Sequence, residues 1–203
     1  FSPTSRTGIK TKSSPQGTTD NPFCPGELAL GAQASYFARV VDTDLKLMES
    51  NFIHAEKYKG TSLIEILQNC PIFNDKTHAE ITARDVKLDV QLVLEHGAPM
   101  IFGAEKDKGL ILDGLELKVV KIGEDGIKES DILIHDKSNP SPTLHAMLVR
   151  MRPPNFPIAL GVIREVPRES FNQGISRQIF EEKEKSSFSS VNDLLHSGDT
   201  WTI

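Results

Sequence analysis

"PGELALGAQASYFARVVDTDLKLMESNFIHAEKYKGTSLIEILQNC", residues 25–70, decides the fold class. Pro25 suits the first turn of a helix, where its missing N–H leaves nothing newly unpaired. Glu27 follows in the positively polarised first turn. "PGELALGAQA" therefore reads as a short helix, and "SYFARVV", with its aromatic and β-branched residues, as a strand. Asp42 or Thr43 can cap the next helix. In that helix Leu45, Met48 and Phe52 lie at spacings of three and four, so they share one face. Lys57, Lys59 and Gly60 make a C-terminal stop. "SLIEILQ" is the next strand and runs up to Cys70, with Pro71 directly behind it. Helix, strand, helix, strand predicts parallel strands joined by crossover helices, an α/β sheet. Ligands of open α/β sheets bind beyond the carboxyl ends of the strands. Cys70 lies at such an end.

Upstream, residues 1–22 lack apolar periodicity and carry Pro3, Gly8, Pro15, Gly17 and Pro22, so they read as a long loop. The chain opens on Phe1 inside a Ser/Thr/Lys-rich stretch, and an upstream part of a longer protein is expected before it. Downstream, "THAEITARDVKLDVQLVLEHG" reads as one helix. Thr77 and Glu80 would form its capping box, Val86, Val90, Val93 and Leu94 its stripe, and Gly97 its end. Short strands are expected at "PMIFG", "LILDG", "LELKVV" and "DILIHD". "SPTLHAMLVRM" reads as a helix, "FPIALGVIREV" as a buried strand that would add a member to the sheet, and "ESFNQGISRQIFEEKEK" as a polar helix. From Ser186 the tail mixes serines with Leu194, Leu195 and Trp201; it could be disordered or dock on a partner.

The length of 203 residues fits one sizeable domain that buries about 70% of its unfolded surface. A net charge of −5 argues against a broad basic footprint for nucleic acid. No apolar run reaches the roughly 18 residues that span a bilayer, and the N-terminus lacks the apolar centre of a signal peptide. With two cysteines, Cys24 and Cys70, there is no disulfide framework, and the expectation is a cytoplasmic chain with reduced thiols.

No P-loop, G-x-S-x-G, HExxH or CxxC signature is present. His96, before a glycine that would end a helix, fits the negative end of the helix dipole. His135 and Asp136 are neighbours in a strand and so point to opposite faces, which weakens them as an orienting pair. His54 is expected to be solvated on its helix, as is the "FEEKEK" face; His78 and His145 carry no argument of their own. Arg6, Lys10 and Lys12 could attract an anion if their loop were ordered. Cys24 precedes a helix N-terminus, a setting that activates thiols. Cys70 could be buried filler, half of a disulfide, a nucleophile or a metal ligand. A catalytic thiol would need a base that is not identifiable, and a metal ligand would need about three more donors.

Five stretches together resemble the C-terminal part of the β subunit of the 2-oxoacid:ferredoxin oxidoreductases, most closely the 2-oxoglutarate type. They are "FSPTSRTGIKTKSSPQG", "PFCPGELALGAQASYFARV", "SLIEILQNCPIFN", "KGLILDGLELKVVKIG…DILIHD" and "PIALGVIREV". The resemblance runs over nearly the whole chain. It implies a thiamine-diphosphate-binding fold with a parallel sheet and crossover helices, truncated at the N-terminus and followed by a strand-rich C-terminal extension. Residues 1–74 would be the end of the thiamine-diphosphate-binding domain, 75–185 the extension and 186–203 a polar tail.

The resemblance also implies chemistry. Thiamine diphosphate with Mg2+ would decarboxylate a 2-oxoacid, a [4Fe–4S] cluster would pass electrons to ferredoxin, and coenzyme A would take the acyl group. The partners implied are the α subunit and ferredoxin, with neither nucleic acid nor membrane. In the family the cysteine at the position of Cys70 is one of four cluster ligands, the other three lying nearer the N-terminus. Two departures stand out: the Gly-Asp-Gly segment that holds the diphosphate is absent, and so are the N-terminal cysteines. Cys24 stands where the family commonly has an acidic residue, and no role is assigned to it. Catalytic and cofactor-binding residues other than Cys70 are not identifiable. The alternative is a non-catalytic interaction module that keeps only the fold's assembly surface. A domain of another thiamine enzyme, such as a decarboxylase, would leave "QNCPIFN" without a purpose.

Overall fold

Strand β1, Tyr36–Val41, is buried at every position and is paired along both edges within a four-stranded sheet. The computed structural model describes residues 2–12, 14–72, 74–199 and 201. The chain divides into two units, residues 1–168 and 169–203. In the first, helix α1 (Pro25–Gly31) leads into β1, helix α2 (Leu45–Lys57) follows, and strand β2 (Ser62–Leu67) pairs with β1 in parallel, Tyr36 opposite Ser62 and Arg39 opposite Glu65. The order and pairing expected over residues 25–70 are present.

The sheet is completed from far along the chain. Strand β7 (Ile158–Glu165) lies against the other edge of β1, antiparallel, with an irregularity between Phe37 and Ala38. Strand β3 (Gln91–Val93) pairs with β7 in parallel, giving the order β2-β1-β7-β3. A second sheet joins β4 (Ile101–Phe102), β5 (Lys108–Asp113) and β6 (Glu116–Lys121), all antiparallel. One apolar cluster ties the two sheets together: Phe37, Leu92, Ala159 and Ile163 from the first, Phe102, Leu110 and Leu117 from the second, and Leu148, Val149 and Met151 from around helix α5 (Thr143–Arg150). Gly26 lets α1 settle on this cluster, because a Cβ there would lie 2.6 Å from Val149 Cγ1 and 2.8 Å from Phe37 Cζ.

Four local expectations change. The single helix expected over 77–97 is two one-turn helices, α3 (Ala79–Thr82) and α4 (Lys87–Val90), followed by β3. Ala83 and Gln91 are extended, and Leu92 is buried beside β7. β-Branched residues such as Val90 and Val93 are mediocre in helices, and the ladder with β7 buries Leu92 while Val93 faces outward. Thr77 does not cap; the N-cap is His78, without a side-chain bond. "DILIHD" is a 3-10 turn (Glu129–Asp131) and then an irregular extended run with one bridge, Pro99 to Ile134. Pro99 has no N–H to extend that ladder. Helix α2 is capped by Asp44, whose carboxylate accepts from Leu47 N at 3.0 Å. It turns Leu47 toward the sheet and buries Asn51, while Leu45 and Phe52 face outward.

The second unit holds helix α6 (Phe171–Lys185) and helix α7 (Val191–Leu195). Ser170 and Gln173 form a capping box at the start of α6, and the "FEEKEK" residues are exposed as expected.

Candidate functional site

Cys70 sits where β2 ends, on a loop held by hydrogen bonds rather than by burial. Asn69 organises it. Its backbone N–H donates to Asp42 Oδ2 at 2.9 Å, tying the loop to the end of β1. Its side chain accepts from Lys76 N at 2.7 Å and donates to Asp75 Oδ1 at 3.0 Å, which closes the loop on itself. Asn74 N donates to Cys70 O at 2.9 Å, and Asn74 Nδ2 to Thr77 Oγ1 at 3.0 Å. Lys76 takes the left-handed conformation at φ 61° that the closure needs. The Cys70 thiol is free and partly exposed. Phe73, part of the "QNCPIFN" motif, lies outside the described residues.

Gln68 and Thr77, at the two ends of this loop, both line a cleft of about 650 Å3 whose other walls include Arg6, Cys24, Glu65, His78 and Arg152. Behind it Arg39 is fully buried. A guanidinium does not discharge, so each of its nitrogens must be accounted for. Nε donates to Glu65 Oε2 at 2.6 Å across the β1–β2 register. Nη2 donates to Val149 O at 3.1 Å and lies 3.9 Å from Cys24 Sγ. Nη1 has no partner. Arg152 Nη1 donates to the same Val149 carbonyl at 3.1 Å and to Met151 O at 2.8 Å. Val149 and Met151 stand at the carboxyl end of α5, where carbonyls lack helical partners and the dipole favours cations. Arg6 forms a bidentate pair with Glu80, and the opening loop is held by backbone bonds such as Gly8 N to Thr18 O at 2.7 Å. Burial pushes the His78 imidazole below its ordinary pKa, so it is neutral near pH 7.

The other candidates resolve apart from the site. Lys10 and Lys12 are exposed. His96 pairs with Asp136 at 3.6 Å, but no helix precedes it, so the dipole argument lapses. His135 is buried and bonds Val162 O at 2.9 Å, not Asp136. His54 bonds Glu165 at 2.6 Å beside Lys137. His145, which carried no sequence signal, is buried with Asp136 O on one nitrogen and Arg164 on the other. Cys24 lies against Arg39, and no motif in the sequence pointed to Arg39, Glu65 or Arg152. A charged residue in the middle of a β-favouring run, Arg39 in "SYFARVV", was the available signal.

A 2-oxoglutarate oxidoreductase subunit, KorB, from Mycobacterium tuberculosis is 34% identical over 206 positions covering all of this chain. The chain belongs to the β subunits of the 2-oxoacid:ferredoxin oxidoreductases. It matches their C-terminal portion and spans 54% of the M. tuberculosis subunit. A 2-oxoglutarate synthase subunit KorB from Archaeoglobus fulgidus is 35% identical over 86 residues, 42% of this chain and 30% of that one. No protein-family model matches. In fold the chain is similar to a 2-oxoglutarate:ferredoxin oxidoreductase from Magnetococcus marinus, solved with 2-oxoglutarate, coenzyme A and succinyl-CoA bound. The TM-score is 0.62, with 19% identity, over 98% of this chain and 53% of that one.

The cofactors of such an enzyme can be tested against the residues present. Cys70 suits one corner of an iron–sulfur cluster: a free thiol at a strand end, on a loop whose backbone is closed by side-chain bonds. The donor set is incomplete, because among the described residues no group of three or more Cys, His, Asp or Glu could hold a metal. For thiamine diphosphate the Gly-Asp-Gly segment is lacking. No helix among the described residues is long and apolar enough to cross a membrane.

Proposed function

We propose that this chain is the C-terminal part of a β subunit that, with an α subunit, oxidatively decarboxylates 2-oxoglutarate or a related 2-oxoacid to an acyl-CoA and reduces ferredoxin. The observation that carries this reading is the 34% identity to a 2-oxoglutarate oxidoreductase subunit along the whole chain. Thiamine diphosphate, Mg2+ and the remaining cluster ligands would be supplied by parts of the complex outside this chain. The free thiols fit a reducing cytoplasm. The non-catalytic module has no observation in its favour.

Within this reading Cys70 is one ligand of the [4Fe–4S] cluster, which would carry the electrons to ferredoxin. What this chain's residues do is hold the thiolate. Asp42 anchors Asn69, Asn69 closes the loop through Lys76 and Asp75, and Pro71 restricts Cys70 to extended backbone. An alanine methyl cannot ligate iron. In the complete complex, Cys70→Ala is therefore expected to lose cluster absorbance, iron and ferredoxin reduction while its melting temperature stays close to that of the parent. Full iron with full ferredoxin reduction in the variant would overturn the ligand assignment. The isolated chain, given 2-oxoglutarate, coenzyme A, thiamine diphosphate and a viologen acceptor, is expected to show no turnover.

A further inference from the structure

Among the described residues Arg152 is a cation without a salt-bridge partner, on the wall of a cleft roomy enough to admit one. The nearby charges are otherwise matched: Arg6 pairs with Glu80 and Arg39 with Glu65. Arg152 makes no salt bridge with any described residue. Its Nη1 is taken by the carbonyls of Val149 and Met151, and Nε and Nη2 donate to none of the described residues. Arg152 is only partly exposed, and Arg39 is held on the same Val149 carbonyl. Burial first, and the Arg39 charge second, push the Arg152 pKa down from its ordinary value, a sign that its charge is poorly compensated. Glu65, the carboxylate on this wall, is taken by Arg39 Nε. A partly buried charge in the position of Arg152 is costly until an anion reaches it.

The chemistry that would relieve it is specific. A carboxylate or phosphate offers two oxygens at the spacing of a guanidinium fork. The same cleft is lined by Ser5, Thr77, Gln68 and His78, whose donors can serve the remaining oxygens. Arg39 Nη1 is closed off from solvent, so Arg39 contributes charge from behind rather than a contact. We propose that this cleft binds an oxyanion, the carboxylate or phosphate group of a small ligand, gripped by the open edge of Arg152. The site rests on this geometry and stands or falls separately from the assignment of Cys70.

The test is a titration of the chain with inorganic phosphate and, separately, with succinate, following the arginine Nε–H resonances by NMR. The Arg152 signal is expected to move saturably with at least one anion, while that of Arg150, exposed and paired with Glu27, does not. In Arg152→Gln, followed by backbone resonances of Gln68 and Thr77, the affinity should fall about tenfold or more. Saturation by phosphate alone identifies a phosphate-bearing ligand; saturation by succinate alone identifies a carboxylate. Linear shifts with both anions, equal shifts at Arg150, or unchanged affinity in the variant would each overturn the site. Should Arg152→Gln fail to fold, the parent titration still decides between saturation and its absence.

Discussion

Arg39 and His135 are both almost wholly inaccessible, each has one nitrogen without a partner among the described residues, and the molecule treats their charges in opposite ways. Arg39 cannot lose its proton, so the fold brings a carboxylate to it: Glu65 stands opposite in the β1–β2 register and takes Nε at 2.6 Å. His135 can lose its proton and does. Burial, with His145 adding to it, drives its pKa down to about 4 against the opposing bond to Val162 O. Next to it, Arg164 donates to His145 Nδ1, so that ring is held neutral as well. The difference teaches that a buried cation is tolerated where the strand register delivers an anion, and that a buried titratable base discharges where it does not.

The largest expected effect comes from breaking the pairing on the Arg39 side. Glu65→Gln keeps the shape but leaves a buried guanidinium without its carboxylate, and should cost about 3–5 kcal/mol in urea unfolding. The double variant Arg39→Met with Glu65→Leu should recover much of that loss, since it removes both charges together. A Glu65→Gln loss below about 1 kcal/mol would show that the pair is not what makes Arg39 tolerable.

The His135 side is broken by acid instead. Its folded pKa lies below the unfolded value, so the unfolded chain binds more protons between about pH 6.5 and 4. The stability this contributes is whole above pH 6.5 and is lost as pH falls through that window, by about 3 kcal/mol. The shifts of His145 and His78 have the same sign. His135→Gln should flatten this slope between pH 6.5 and 4, and the difference in urea midpoints against pH measures it. Parallel profiles for the parent and the variant would remove His135 from the acid response.

The smallest effect belongs to the Cys70 loop, where neither burial nor charge decides. Asn69→Ala removes two side-chain hydrogen bonds in a half-exposed setting and should cost about 1–2 kcal/mol. It should also raise the rate at which Cys70 reacts with a thiol reagent, measured in a Cys24→Ser background. An unchanged rate would mean that Asn69 does not position the thiol.

Residues 25–70 determined their own elements, because helix and strand periods, a proline at a helix start and the turn signal at Gly60 act over a few residues. The place of Cys70 at a strand end followed from the same local reading, as did the Ser170 cap of α6. Only the tertiary structure decided the rest. β7 enters antiparallel beside β1, and β3 peels residues 91–93 out of an expected helix, because a ladder with a distant strand buried Leu92 better than a helical turn could. Arg39, Glu65, Val149 and Arg152 form one cluster although more than a hundred positions separate its ends, and no window of sequence holds both sides. Charge in a protein interior is settled by which strands and helix ends become neighbours. That is a property of the closed sheet, not of any stretch of chain within it.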